Sequence, residues 1–245
     1  MHQDTRTAEP WPRAETLRLL IVESQTLFAS MLIEVLSVEP GIRIVGTAGT
    51  AAEAINALEN AAVDVVMLDL MLPGRSGLEL IGEIARRENP ARIVVCSATN
   101  DPAAITMAFG LGAHAFVEKT SALPELVDTL RKAARGEHCL TARAAEVLGE
   151  HARGAGATRL LQPEDLAAPR RLALREHVRD IAVAMGLSAS GVYKIRQRIG
   201  RAGGARTKED FCRFAARLGL VPSEGAPLDP ALRREPYRHA GTPAP

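Results

Sequence analysis

Four polar side chains of the types used in phosphoryl chemistry stand where short apolar runs end. Glu23 follows the run LLIV, and Asp69 follows VVML. Ser97 follows IVVC, and Lys119 follows AFVE. One carboxylate can act as the nucleophile that accepts a phosphoryl group, and a second can hold Mg²⁺ through its oxygens. A hydroxyl and an ammonium can bind phosphoryl oxygens, so the four residue types suit phosphoryl transfer.

These side chains can meet only if the apolar runs form one sheet. The runs are short and bounded by polar residues or glycine, which predicts five β-strands: Leu17–Val22, Ile42–Val45, Val63–Leu68, Ile93–Cys96 and Ala115–Val117. Segments with apolar residues at helical spacing separate them. Because parallel strands need crossovers, this alternation predicts an α/β fold with a doubly wound, five-stranded parallel sheet. Ligands bind at the carboxyl ends of such strands, where the four side chains are expected to lie.

The composition excludes several classes of protein. Hydrophobic residues make up 47% and charged residues 24%, which excludes a disordered or collagenous chain, and 245 residues favour two domains with tails. Aromatic residues make up only 3%, too few for a base-stacking RNA platform. The three cysteines are widely spaced, and no leader or membrane span is visible. We therefore expect a cytoplasmic protein with reduced thiols and no membrane contact.

Charge is distributed unevenly along the chain. Residues 17–135 carry 10 Lys and Arg against 14 Asp and Glu, whereas residues 161–221 carry 12 against 6. The strand pattern also ends after residue 136, and the later part shows only helical periodicity. The second half is therefore the part expected to meet a polyanion.

The basic segment has the spacing of a helix, a tight turn and a second helix. The first helix is predicted over Val178–Met185, the turn at Gly186 and the second helix over Ser188–Ile199, with Ser188 as its N-cap. One stripe of the second helix is apolar and is expected to face inward: Val192, Ile195 and Ile199. The opposite face carries hydroxyl, amide and basic groups that suit the major groove of DNA.

Four segments between Leu17 and Gly136 resemble the response-regulator receiver domain. They are IVES (21–24), LDLMLPGRSG (68–77), CSA (96–98) and GAHAFVEK (112–119). The resemblance implies that a sensor histidine kinase phosphorylates Asp69. It also implies that Ser97 is the switch hydroxyl and Lys119 the phosphoryl-binding lysine, while Phe116 is the aromatic that changes rotamer with Ser97.

The pair after the first strand departs from this family. Receiver domains usually have two adjacent acidic residues there, and this chain has Glu23 and Ser24. The resemblance implies that Glu23, Asp69 and the backbone carbonyl of Met71 hold Mg²⁺. Because one carboxylate is replaced by a hydroxyl, Mg²⁺ is expected to bind more weakly.

The segment 161–221 resembles the C-terminal DNA-binding domain of LuxR/NarL-type regulators. The matching pieces are LQPED (161–165), DIAVAMGLS (180–188), GVYKIRQRI (191–199) and ARTKEDFCRFAARLGLV (205–221). The resemblance implies homodimerisation and binding to double-stranded DNA through Ser190, Tyr193, Lys194, Gln197, Arg198 and Arg201. Two departures are Pro169, which interrupts the expected first helix, and Arg196, which replaces a usual apolar residue.

The combined interpretation is a DNA-binding transcriptional response regulator without enzymatic activity. Its predicted parts are a flexible arm (1–16), a receiver domain (17–136), a linker (137–160), the DNA-binding domain (161–221) and a disordered tail (222–245). One alternative is a regulator that acts without phosphorylation, because of the Glu23 and Ser24 pair. A haloacid-dehalogenase-like hydrolase is disfavoured, because Met71 stands where its second aspartate belongs. A helical interaction module that does not bind DNA is the remaining alternative.

Overall fold

The computed structural model describes residues 16–87, 89–146, 171–172, 176–203, 207–218 and 220–221. The chain divides into two compact units, residues 1–157 and 158–245. The predicted arm up to residue 15, the predicted linker beyond residue 146, Pro169 and the predicted tail lie outside the described residues. Within the described part, no helix is long and apolar enough to span a membrane.

The first unit alternates strands and helices along its length. Its elements are β1 (Leu17–Val22), α1 (Thr26–Ser37), β2 (Ile42–Ala48), α2 (Ala51–Asn60), β3 (Val65–Leu68), α3 (Gly77–Arg86), β4 (Arg92–Ser97), α4 (Pro102–Gly110), β5 (Ala115–Glu118), α5 (Leu123–Ala134) and β6 (Cys139–Leu140). The strands form one sheet in the order β2-β1-β3-β4-β5-β6, and all pairs are parallel. The predicted α/β fold with a parallel sheet is confirmed.

The predicted number of five strands is wrong, because β6 adds a sixth at the edge. Cys139 pairs with Ala115 and Leu140 with Phe116, within the segment predicted to be linker. Two residues carry no periodic pattern, so only the free edge of β5 makes this segment a strand. The second strand is also longer than its apolar run, because its ladder with β1 continues to the pair Val22 and Ala48.

Apolar side chains fill both faces of the sheet. All four residues of β3 are buried, which is typical of a central parallel strand covered on both sides. Local signals start two of the helices that cover it. Ser76 and Glu79 form a reciprocal capping box at the start of α3, and the Asp101 side chain accepts the Ala103 N–H at the start of α4. These helices therefore begin just after the strand ends that carry the polar side chains.

The described part of the second unit contains α6 (Val178–Ala184), α7 (Ala189–Gly203) and α8 (Lys208–Arg217). Gly186 has a φ of +62° in the turn between α6 and α7, a conformation that favours glycine. The Ser188 hydroxyl accepts the Gly191 N–H at 3.1 Å and so caps α7. The predicted inward stripe of α7 is buried: Val192, Ile195 and Ile199. The helix, turn and helix spacing predicted from the sequence is therefore present.

Candidate functional site

The sheet brings the four predicted side chains to one edge. The strands β1, β3, β4 and β5 are neighbours, so their carboxyl ends lie side by side. Lys119 Nζ lies 2.6 Å from Glu23 Oε2 and 2.9 Å from Asp69 Oδ2. Ser97 Oγ donates to Asp69 Oδ1 at 3.3 Å. We call these four residues the receiver cluster.

The receiver cluster is largely shielded from water. Asp69 is 2% exposed, Glu23 7%, and Ser97 is fully buried. Burial lowers the pKa of Lys119, but hydrogen bonds from its ammonium to Glu23 and Asp69 outweigh this and leave the pKa above its ordinary value. Lys119 is therefore a fixed cation beside Asp69 at neutral pH. A phosphoryl group on Asp69 would meet this cation and one hydroxyl donor without further solvent reorganisation.

Sequence reasoning missed two contacts that hold the receiver cluster in place. The Lys119 ammonium lies 4.6 Å from the ring centroid of Phe28, a cation–π contact from α1. The backbone N–H of Gln25 donates to Glu23 Oε1 at 2.8 Å. Both oxygens of Glu23 are thus engaged. Phe28 occupies no special position in the sequence, since only the packing of α1 places its ring under Lys119.

A glycine at the start of α3 lets the loop after β3 pass close to the helix. A Cβ atom on Gly77 would lie 2.3 Å from the carbonyl oxygen of Asp69 and 2.7 Å from the Cα of Leu70. No side chain fits there without moving the backbone that carries Asp69. The signal in the sequence was the last glycine of LDLMLPGRSG.

Two of the three oxygen donors predicted for Mg²⁺, the carboxylates of Glu23 and Asp69, both contact the Lys119 ammonium. The Met71 carbonyl accepts a hydrogen bond from Ser24 Oγ at 3.3 Å, so Ser24 stands beside the predicted donor set. No group of three or more His, Cys, Asp or Glu within the described ranges is arranged to hold a metal. Two carboxylates and one carbonyl are nevertheless the oxygen ligands that Mg²⁺ prefers. These donors are of the type that fits Mg²⁺, although both carboxylates also bind the Lys119 ammonium.

Phe116 lies in the core beside the receiver cluster. It is fully buried on β5, opposite Val95 of β4. Its backbone carbonyl accepts the N–H of Thr141, the residue after β6. The rotamer change inferred for Phe116 stays a prediction.

The exposed face of α7 carries most of the residues predicted to contact DNA. Four of them are exposed and form what we call the recognition face: Ser190, Tyr193, Lys194 and Gln197. Arg198 is only partly exposed, and the side chain of Arg201 lies outside the described residues. The guanidinium of Arg196 lies 5.4 Å from the ring centroid of Phe211 in α8. The unusual Arg196 therefore belongs to the packing of α7 on α8 and not to the recognition face.

Comparison with known proteins identifies the first unit. Residues 19–131 match the family model of the response regulator receiver domain. The first unit is a response regulator receiver domain. Receiver domains generally bind Mg²⁺ at their phosphorylation site. The six-stranded parallel sheet is thus the fold of this family in the present chain.

Individual relatives match about half of the chain. The chain is 29% identical over 125 residues to the probable transcriptional regulatory protein NarL of Mycobacterium tuberculosis (strain CDC 1551 / Oshkosh), over 51% of this chain and 58% of that protein. This chain thus matches less than two thirds of that relative. A LuxR-family two-component response regulator from Aurantimonas sp. SI85-9A1 has a similar structure, with a TM-score of 0.54 and 27% identity over 56% of this chain and 98% of that one.

A third comparison covers both units of the chain. RcsB from Salmonella enterica serovar Typhimurium, in a structure bound to the promoter rprA, has a TM-score of 0.64 and 19% identity over 82% of this chain and 98% of that one. At this identity the likeness concerns the fold alone. It confirms the predicted fold class, a parallel α/β sheet of the receiver fold followed by helices.

Proposed function

We propose that this protein is a DNA-binding transcriptional response regulator that acts in the cytoplasm. A sensor histidine kinase phosphorylates Asp69, and the phosphorylated receiver domain controls dimerisation and promoter binding. The observation that supports this most strongly is the buried contact of Asp69 with the Lys119 ammonium at 2.9 Å and the Ser97 hydroxyl at 3.3 Å. The relative from Mycobacterium tuberculosis, a probable transcriptional regulator, supports the same assignment.

The phosphoryl transfer requires a nucleophile and balanced charge. A carboxylate oxygen of Asp69 attacks the phosphorus of a phosphohistidine, the new O–P bond forms, and the P–N bond breaks with release of the imidazole. Lys119 balances the negative charge of the phosphoryl oxygens, and Ser97 donates a hydrogen bond to one of them. The burial of these groups makes each interaction stronger than it would be in water.

Mg²⁺ has a defined place in this proposal. Glu23, Asp69 and the carbonyl of Met71 would hold it, and when bound it would offset the charge of the phosphoryl oxygens. Ser24 supplies a hydroxyl where a second carboxylate would raise the affinity for the ion.

DNA binding is assigned to the recognition face of α7. Lys194 and Gln197 carry donors for phosphates and base edges, and they lie one turn apart on the same side of the helix. A homodimer would present two such helices to paired half-sites. Phosphorylation would change how protomers or units pack, and hence whether both helices can engage together.

A second candidate function is a regulator that acts without phosphorylation. It is favoured by the bonds that occupy both oxygens of Glu23, from Lys119 and Gln25, and by the missing second carboxylate at Ser24. In that case the receiver domain would only dimerise or bind another partner. An interaction module without DNA contact is a further outcome that the same experiments separate.

Two measurements on the full chain test the proposal. Incubation with acetyl phosphate and Mg²⁺ is expected to produce a retarded band in a Phos-tag gel, and Asp69→Ala is expected to abolish it. Genomic footprinting of the tagged protein, wild type against Asp69→Ala, is expected to find operators that only the wild type occupies fully. A missing retarded band would favour the unphosphorylated regulator, and an empty footprint would favour the interaction module.

A further inference from the structure

A further buried carboxylate, that of Glu118, lies at the end of β5 and pairs with no cation among the residues that the structure describes. Glu118 is the last residue of β5, is 6% exposed and directly precedes Lys119. Its Oε2 accepts hydrogen bonds from Thr141 Oγ1 at 2.5 Å and from Ser121 Oγ at 3.4 Å. Its Oε1 is buried and has no hydrogen-bond partner in the part of the chain that the structure describes. A buried carboxylate with hydroxyl donors alone is costly to maintain.

The stronger of these bonds ties the chain that leaves the sheet to β5. Thr141 follows β6 and is buried, and its N–H donates to the Phe116 carbonyl at 3.3 Å. Its hydroxyl also accepts the N–H of Ala144 at 3.3 Å, and so caps the helical residues 142–146. One side chain thus joins Glu118 to the start of the segment that continues toward the second unit.

The other end of β6 is also fixed to β5. The ring of His138 stacks on the ring of His114, with centroids 5.3 Å apart and planes 6° apart. The N–H of Cys139 donates to the His114 carbonyl at 3.0 Å. Residues 138–144 are therefore held at both ends, and we call them the β6 latch.

Glu118, which holds the β6 latch, is two contacts away from Asp69. Glu118 lies opposite Ser97 in the β4–β5 ladder, and Ser97 donates to Asp69. The backbone N–H of Lys119 donates to the Ser97 carbonyl at 2.9 Å, and its ammonium binds Asp69. The end of β5 thus carries an ammonium bound to the phosphorylation site and a carboxylate bound to the latch.

We infer that Glu118 and Thr141 hold the β6 latch closed and that phosphorylation of Asp69 opens it. This inference rests on the proposed function. A phosphoryl group adds about −1.5 to −2 charge at the carboxyl end of the sheet, where Glu118 already has one carboxylate oxygen without a hydrogen-bond partner among the described residues. The added repulsion favours a state in which Glu118 turns toward water and leaves Thr141. Opening would free residues 138–144 from β5 and change the start of the connection to the second unit.

The reactivity of two cysteines measures the opening of the β6 latch in the full-length chain. Cys139 lies in β6 itself, is partly buried, and has its Sγ 4.0 Å from the Thr129 carbonyl oxygen. Cys96 is buried in the core, and burial raises the pKa of its thiol to about 12, so its reactivity reports unfolding. Iodoacetamide labelling at pH 8, with each cysteine quantified by peptide mass spectrometry, therefore separates latch opening from loss of the fold.

Variants and phosphorylation are then compared on the same scale. Thr141→Val is expected to raise the labelling rate of Cys139 about tenfold, because it removes a hydrogen bond to a charged group. Thr141→Ser keeps the hydroxyl and is expected to stay near wild type. Acetyl phosphate with Mg²⁺ is expected to raise the Cys139 rate of the wild type and to leave Asp69→Ala unchanged. If Thr141→Val also raises the labelling of Cys96, the variant Glu118→Leu is used in its place. It is likewise expected to raise the labelling rate of Cys139 about tenfold.

Three results would overturn the inference. Equal Cys139 rates in the valine and serine variants at position 141, with Cys96 still protected, would show that the hydroxyl does not hold the latch. A retarded Phos-tag band with an unchanged Cys139 rate would remove the coupling and leave the proposed function intact. The absence of any Asp69-dependent band would remove the coupling and the proposed phosphorylation together.

Discussion

The receiver cluster and the recognition face use charge in opposite ways. In the receiver cluster, Asp69 and Glu23 are almost fully buried and share one ammonium, that of Lys119. On the recognition face, Lys194 stands in solvent. A buried charge has to be balanced by protein groups, whereas an exposed charge is balanced by water and salt. Replacing one charged residue of the receiver cluster should therefore strongly lower the stability of the protein. Replacing one on the recognition face should weaken DNA binding by a modest amount that depends on salt.

The largest expected effect is the removal of the shared cation. Lys119→Met leaves two buried carboxylates without their ammonium and is expected to lower the free energy of unfolding by about 3–5 kcal/mol. Urea denaturation followed by circular dichroism measures this. Lys132→Met is the matched control, because Lys132 pairs with Asp128 at the surface of α5 and little change is expected. Similar losses in both variants would contradict the contrast between buried and exposed charge.

On the recognition face, one lysine should contribute a modest and salt-dependent share of DNA affinity. Lys194→Ala is expected to weaken operator binding by about 1 kcal/mol and to reduce the slope of log affinity against log salt by about 1. Fluorescence anisotropy with an operator from the footprinting measures both quantities at several salt concentrations. Lys132→Ala, in the other unit, is expected to leave the slope unchanged. An unaltered slope in Lys194→Ala would remove this lysine from the DNA contact.

The affinity of the receiver cluster for Mg²⁺ can be tested by adding the missing carboxylate. Ser24→Asp adds a carboxylate beside the Met71 carbonyl and is expected to raise the affinity for Mg²⁺ about tenfold, since affinity follows the charge count of the ligands. Isothermal titration calorimetry of the full chain measures it. Ser24→Ala removes the hydroxyl without adding charge and is expected to leave the affinity near that of the wild type. Equal affinities in the aspartate and alanine variants would place the ion away from residue 24.

A further prediction concerns the pH dependence of stability that His114 contributes to the first unit. Burial, aided by the charges of Arg92 and His138, lowers the pKa of His114 from 6.5 to about 4. Between these values the unfolded chain binds more protons than the folded chain, so stability rises with pH from about 4 to 6.5 and is lost as pH falls.

Urea midpoints at pH 7 and pH 5 test this dependence. His114 Nδ1 accepts the Ile93 N–H at 3.1 Å, and the side-chain oxygen of His114→Asn can replace that acceptor without titrating. The wild type is expected to lose more stability between the two pH values than His114→Asn. Parallel losses would assign the dependence to other groups.

The strand ends could be predicted because each is marked by a local pattern. Short apolar runs bounded by polar residues located β1, β3, β4 and β5 to within a few residues, and parallel pairing then placed their carboxyl ends together. The stripe of α7 was predictable for the same reason, since Val192, Ile195 and Ile199 repeat at helical spacing. The functions of these side chains are proposals, because their positions do not by themselves establish phosphorylation or DNA binding.

Features without a periodic signal could not be predicted. The strand β6 has two residues and exists because the edge of β5 is free to pair with it. Phe28 and Arg196 gained their roles from the elements that pack against them, since Phe28 lies under Lys119 and Arg196 lies over Phe211.

Local patterns in the amino-acid sequence account for the order of strands and helices, the polar residues at the strand ends and the apolar stripe of the helix-turn-helix. These depend on backbone periodicity and on neighbours within a few residues. The partners of the charged side chains depend instead on the packed fold, in which Lys119 binds two carboxylates while Glu118, one residue earlier, binds Thr141. Partners of buried charges come from distant parts of the chain, and their choice depends on which groups the packed sheet leaves within hydrogen-bond distance.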